Sequence, residues 1–298
     1  MRVGVIGLGS MGMGMALSLV RAGHEVWGSD VRPEAVESLA AAGGHGGATP
    51  AAAAEGAELV ILMVVNQAQV EAVLFGPDGA AGALRPGGVV MQSATVPAGF
   101  TEALDVRLAD AGLLLLDAPV SGGAAKAREG QLTIMSSGSP AAYAVADPVL
   151  AAVAATVYRL GDRPGIGSTV KTVNQLLAGV HIAAAAEAMA LGTRAGADPR
   201  QLFEVISNSA GGSWMFQNRV PHMLDGDYTP LSSVEIFVKD LGLVLDTGRS
   251  LRFPLPIAAA AHQQFLAAAA SGHGGEDDAA VVKVYEGLAG IKVARPKQ

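Results

Sequence analysis

The spacing of apolar side chains changes character near residue 163. Ahead of it, short apolar runs of strand length recur at 3–6, 25–29, 59–65, 89–92, 113–116, 131–137 and 157–160. Between them, 10–22, 33–42, 100–111 and 140–155 read as helices. The run 59–65 (LVILMVV) is almost continuously apolar, as a strand buried on both faces must be. Strands separated by helices predict a doubly wound sheet, with ligands at the C-terminal ends of its strands. The turn-rich stretch 161–165 (GDRPG) marks the boundary between a first domain, 1–163, and a second, 164–298. Beyond it no strand pattern recurs. Helices are predicted at 165–195, at 199–208 with Asp198 as N-cap and Pro199 at the first position, and at 234–249, 257–270 and 278–288. The segments 211–216 and 227–233 read as loops, and the basic tail 292–298 as solvated. The expected architecture is an α/β doubly wound sheet domain followed by an all-helical C-terminal domain.

Composition narrows the function. Half of the 298 residues are hydrophobic and the net charge is −7, which argues against a nucleic-acid partner or an anionic membrane surface. The absence of cysteine excludes disulfides, thiolate metal sites and thiol catalysis. Histidines 24, 45, 181, 222, 262 and 273 show no metal-binding spacing, so no metal is expected. The apolar run 176–191 is interrupted by His181 and Glu187 and falls short of the roughly 20 residues of a membrane span. The N-terminal run lacks the long apolar region of a signal peptide. A cytoplasmic protein without membrane association is expected.

The first strand runs into Gly7-Leu8-Gly9-Ser10-Met11-Gly12, a helical pattern follows, and a second strand ends at Asp30. This order makes a GxGxxG informative. The first glycine permits the turn, the second lets backbone approach a pyrophosphate, and the third lets helix pack on strand. The phosphates then sit at the helix N-terminus. Asp30 stands where a ribose-binding acid belongs, which favours NAD over NADP, although Arg32 could hold a 2′-phosphate. Val65 and Asn66 close the third strand, where cofactor-facing loops sit.

Ser121-Gly122-Gly123 exposes a hydroxyl and consecutive backbone N–H groups, which suits a carboxylate but also describes an ordinary turn. Lys171 and Asn174, spaced i, i+3, share a helix face. With Ser168 as N-cap, Lys171 falls in the first helical turn, where the helix dipole disfavours a cation. In a cleft between domains its pKa should fall towards neutrality, as a group that takes a proton from an alcohol requires. A snorkelling surface lysine fits the helix equally well. Lys239 and Asp240, with Glu235 four residues before the lysine, read from spacing alone as a surface ion pair.

Four stretches together resemble, in order, the motifs of the β-hydroxyacid dehydrogenase family. They are 7–12 (GLGSMG), 117–123 (DAPVSGG), Gly165-x-Gly167-x-x-x-Lys171-x-x-Asn174-Gln175, and 239–243 (KDLGL). The resemblance covers essentially the whole chain. It implies a Rossmann-type NAD-binding domain and a small hydroxy-acid substrate, with Lys171 as the catalytic acid/base. It also implies that Ser121, Gly122 and Gly123 hold the substrate carboxylate with help from Asn174, and that Thr95 and Lys239 contact the cofactor near the nicotinamide. Relatives in the wider family often carry Asn-Asn after the lysine. Here the pair is Asn174-Gln175, so Gln175 is expected to take up the second contact on the substrate. The Ala-rich helices of the second domain can bury more than one monomer's core needs, which points to a homodimer or homotetramer.

Overall fold

The computed structural model describes residues 1–294. It separates into two compact units, Met1–Lys171 and the remainder from Thr172.

The first unit alternates strand and helix as far as its middle: β1 (Arg2–Ile6), α1 (Ser10–Arg21), β2 (Glu25–Ser29), α2 (Pro33–Ala41), β3 (His45–Gly46), α3 (Pro50–Ala54), β4 (Leu59–Leu62), α4 (Gln67–Phe75), β5 (Val89–Gln92) and α5 (Ala98–Asp110). It continues with β6 (Leu114–Asp117), β7 (Val120–Ser121), α6 (Gly123–Glu129), β8 (Leu132–Gly138), α7 (Pro140–Val153) and β9 (Ala154–Arg159). The sheet order is β3-β2-β1-β4-β5-β6-β8-β7, with β9 on β8. From β3 to β6 every pairing is parallel. This is the Rossmann order, and its direction reverses between β1 and β4, where ligands bind at the C-terminal strand ends. Strand β8 runs antiparallel to β6 and β7.

Apolar side chains leave the sheet on both sides. Val3, Val5, Leu59, Ile61, Val89 and Met91 pack with Met15 and Leu19 of α1 and Leu150 of α7. Ile6, Val60, Leu62, Val90 and Leu115 pack with Val70, Leu74, Leu104 and Leu108 on the other face. Each fully buried side chain of this size contributes about 1.5–3 kcal/mol. Burial on both faces explains the unbroken apolar run at β4. That strand ends at Leu62, three residues before the predicted end, because β1 and β5 offer no partner beyond it. Val65 is 46% exposed.

The second unit is helical, as expected. Helix α8 (Ile166–Arg194) begins in the first unit. It supplies Ile182, Ala183, Ala186 and Met189 to the second unit's core. There they meet α10 (Trp214–Asp225), α11 (Val234–Ser250) and α12 (Pro256–Ala268), numbered after α9 (Pro199–Ser207). A 3-10 turn (Asp278–Val281) leads into α13 (Val282–Ala289). A Cβ on Gly179 would come within 2.9 Å of Leu241, so the glycine lets α8 and α11 approach closely.

Several expectations need correction. The segment 211–216 is not all loop, because α10 starts at Trp214, where the Ser213 hydroxyl accepts from Phe216 N–H at 3.0 Å. Trp214 is 58% exposed. His181 is half-buried. The tail is tied down at its start: Val293 is buried and its N–H donates to Glu286 Oε1, while 295–298 lie outside the described residues. Among the described residues one helix, α8, is long and apolar enough to cross a membrane, although the sequence was expected to hold none; here it packs the second unit's core.

Candidate active site

The glycine-rich turn after β1 is built for close backbone approach. Gly7 has φ +93°, and a Cβ there would meet the Met63 carbonyl at 2.4 Å. A Cβ on Gly12 would lie 1.8 Å from the Gly7 carbonyl oxygen. On Gly14 it would meet Ala127 Cβ at 2.7 Å, where α1 packs on α6. Gly9 differs, because a Cβ there would meet nothing within 4 Å. No side chain caps α1. Its first-turn N–H groups, the open space over Gly9, and the backbone of Leu8, Ser10 and Met11 form a cradle that fits a pyrophosphate.

The Asp30 carboxylate ends β2 and folds onto this turn. Its Oδ2 accepts from Leu8 N–H at 2.7 Å, and its Oδ1 accepts from Arg32 N–H and Nε–H at 2.9 and 3.0 Å. Arg32 Nη2 donates to the Leu8 carbonyl at 3.2 Å. Burial works to raise the Asp30 carboxyl. The bonds from Arg32 and Leu8 outweigh it and hold the group below the usual carboxylate range. Arg32 is therefore clasped by the acid that would read a ribose.

Asn66 caps α4, its Oδ1 accepting from Gln69 N–H at 2.9 Å, while Val65 N–H donates to Gln69 Oε1. Thr95 follows β5, in a turn pinned by buried Gln92. The Gln92 amide donates to the Ala94 carbonyl and accepts from Ala94 N–H.

The Ser121-Gly122-Gly123 stretch links β7 to α6. Both glycines are left-handed, at φ +132° and +77°. A Cβ on Gly123 would meet open space. A Cβ on Gly122 would lie 3.0 Å from Lys126 Cδ, so the open backbone is that of Gly123.

Lys171 is buried, with 8% of its surface exposed. Its placement differs from expectation in two respects. Helix α8 starts at Ile166, so Lys171 stands in the second turn. Ser168 is no N-cap: its hydroxyl donates to Asp117 Oδ1 at 2.7 Å. The head of the helix is held instead by the buried carboxylate of Asp117, whose Oδ2 accepts from Gly165 N–H at 2.9 Å, Ser168 N–H at 2.8 Å and Ser137 Oγ at 3.2 Å. Burial pushes the Asp117 carboxyl up, and these bonds pull it back.

In the second unit, Asn174 Nδ2 donates to Gln175 Oε1 at 3.0 Å. Gln175 Nε2 donates to the buried Asp240 Oδ2 at 2.5 Å. Asp240 Oδ1 lies 2.7 Å from Lys239 Nζ, an ion pair on a residue that is itself buried rather than at the surface. Gln175 thus connects Asn174 to Asp240. Asp117, Ser137, Gln92 and Asp240 carry none of the expected roles. The readable signal was an acid or amide ending a buried apolar strand, as in 113–117 and 89–92.

Among the described residues no group of three or more His, Asp or Glu is placed to hold a metal ion. A hollow of about 470 Å³ bordered by Glu102, Asp105, Asp162 and Arg163 contains none of the motif residues.

Residues 2–161 match the profile of the NAD binding domain of 6-phosphogluconate dehydrogenase. Residues 165–285 match the profile described as NAD-binding of NADP-dependent 3-hydroxyisobutyrate dehydrogenase. The chain is 62% identical over 286 residues to the L-threonate dehydrogenase of Cupriavidus necator, covering 96% of each. The chain belongs to the β-hydroxyacid dehydrogenase family. Like other β-hydroxyacid dehydrogenases it is an oxidoreductase with an NAD-type cofactor, and the glycine-rich cradle fits that group. The L-threonate dehydrogenase of Escherichia coli K12 is 53% identical, over 96% of this chain and 95% of that one. The crystal structure of a 3-hydroxyisobutyrate dehydrogenase from Salmonella typhimurium superposes with a TM-score of 0.90 at 52% identity, covering 95% of this chain and 99% of that one.

Proposed function

We propose that this β-hydroxyacid dehydrogenase oxidises L-threonate at its C2 hydroxyl to the 2-oxo acid, 2-dehydro-L-erythronate, using NAD. The observation that carries the reading is the 62% identity, along nearly the whole chain, to an enzyme named for that substrate. Residues 1–163 act as the NAD-binding domain, and 164–298 as the substrate and oligomerisation domain. The matched spans 2–161 and 165–285 support that division.

The cofactor supplies the hydride acceptor. Gly7–Gly12 hold its pyrophosphate and Asp30 its ribose, with Val65 and Asn66 facing the cofactor and Thr95 near the nicotinamide. Lys239 joins them, which the description of the second matched span as NAD-binding supports. Ser121, Gly122 and Gly123 bind the substrate carboxylate. Lys171, entering as the neutral amine, takes the C2 hydroxyl proton while C2 gives up its hydrogen with the bonding electrons and the C2–O bond becomes C=O. Asn174, one turn along the same helix face, helps to hold the substrate carboxylate. Gln175 supports it from Asp240, a role its two amide bonds favour over direct substrate contact.

The name of the Salmonella structure supports a second reading, with 3-hydroxyisobutyrate as substrate. An NAD-linked activity screen over threonate, erythronate, glycerate, 3-hydroxyisobutyrate and tartrate separates the two. The highest kcat/KM is expected with L-threonate, and a higher value with any other acid overturns the assignment. Lys171→Ala should keep NADH affinity and lose turnover by about 10²-fold or more, the range of a general base.

A further inference from the structure

We propose that Asp117 is a positioning residue for the chemistry, setting Lys171 through the first turn of α8 and tying that turn to the carboxylate-binding loop. The proposal rests on Lys171 being the proton acceptor. Three observations within the first unit converge on it.

First, the bonding is concentrated on one group. Asp117 is fully buried, and four donors reach its two oxygens. Two are backbone N–H groups of residues 165 and 168. The Ser168 hydroxyl also meets Thr101 Oγ1 at 3.1 Å. A third N–H at the helix head, that of Gly167, donates to Ser137 Oγ at 3.0 Å, and this hydroxyl in turn donates to Asp117. One carboxylate therefore satisfies, directly or through Ser137, three N–H groups at the start of the helix, which would otherwise be orphaned in a buried setting.

Second, the backbone is shaped for this contact. Gly165 is left-handed at φ +115°. A Cβ on Gly167 would lie 2.4 Å from the Met135 carbonyl oxygen and 2.9 Å from Asp117 Oδ2. The two glycines admit the helix head to the strand ends, where the carboxylate waits.

Third, Asp117 is covalently joined to the other half of the chemistry. It ends β6, paired with Gln92 and Ser137, and Ser121 follows four residues later on β7. Both strands pair with β8, Asp117 opposite Ser137 and Ser121 opposite Thr133, so carboxylate and loop are held on one neighbouring strand.

A double-mutant cycle with Lys171 tests the proposal, with NADH affinity measured for every variant to report the folded nucleotide site. Asp117→Asn keeps size and removes charge. It should lower kcat at least tenfold in the wild-type background, and change the residual rate of the Lys171→Ala enzyme by less than twofold. A residue that only stabilises the fold would lower both backgrounds by the same factor, and that result overturns the proposal; so does an unchanged kcat in Asp117→Asn. If Asp117→Asn fails to fold, Ser168→Ala removes one donor and keeps the backbone bonds. It should cost several-fold in kcat on the wild-type background alone, and equal losses in both overturn the proposal. Near-normal turnover in Lys171→Ala by itself overturns the assignment of the base, and this inference with it. An inactive Lys171→Ala with equal factors overturns this inference alone.

Discussion

At the scale of single residues, we propose that Asp30 and Arg32 govern cofactor choice as a pair. While Asp30 clasps Arg32 Nε, the guanidinium is directed at the acid and at the Leu8 carbonyl. Asp30→Ala removes the acceptor for ribose hydroxyls and releases a cation suited to a 2′-phosphate. Hydrogen bonds to a charged group are worth about 1.5–3 kcal/mol, so the ratio of kcat/KM for NADP to that for NAD should rise by about tenfold or more. An unchanged ratio would show that Asp30 does not read the ribose. Asp30 was legible in the sequence because distance along the chain from Gly12 implies its place. Gln175 was harder to read. Its neighbours in sequence suggest substrate, whereas its Nε2 is turned to Asp240, 65 residues away. No local spacing encodes that bond. Ser168 was misread for a related reason: an N-cap serine and a serine donating to a distant carboxylate look alike until Asp117 is placed.

At the scale of elements, periodicity located most helices and every parallel strand except the two-residue β3, since burial on both faces leaves a strong apolar signature. It missed the short helices α3, α4 and α6, and α10, where the Gly-Gly-Ser start and Pro221 obscure the helix. It also missed how the segment before α11 is fixed. Asp277 does this with both carboxylate oxygens, accepting from Leu231 N–H at 3.0 Å and Ala279 N–H at 3.1 Å, with His222 Nδ1 3.4 Å from Oδ1. Its backbone N–H donates to the Tyr228 carbonyl. The Asp277 carboxylate beside it raises the His222 pKa above its ordinary value, with burial opposing. A raised folded-state pKa adds stability that is complete below the unfolded value of about 6.5 and fades as pH rises through the folded value. His222→Asn should therefore lower Tm most at pH 5–6, with the deficit shrinking towards pH 8–9. A deficit independent of pH in thermal melts would mean that the imidazolium contributes nothing there.

At the scale of the whole molecule, the order of motifs made the two-part architecture readable from the chain, and their spacing brought out the family. On association the chain offers only an excess of apolar surface. In the second unit Leu191 and Leu288 are exposed around a hollow of about 320 Å³, beside Tyr285 and Ala190. Leu251, Phe253 and Ile257 are also open. Apolar area of this kind marks an interface more often than free surface. We propose a homodimer or homotetramer, so sedimentation equilibrium should return a multiple of 29.9 kDa, and Leu288→Glu should shift the distribution towards monomer. A monomeric mass for the wild type at micromolar concentration would refute it.

The crowded glycines bear on how such sequences decay. Gly12, Gly14 and Gly167 each face backbone atoms that a single methyl group would strike. Selection for a folded chain alone is enough to preserve them. Lys171, as the proposed proton acceptor, answers to catalysis instead. A gene copy released from its catalytic duty would keep its glycine signature long after its lysine had drifted. Among distant descendants, the glycines testify only that the chain still folds, and under the proposed mechanism the lysine that it still works.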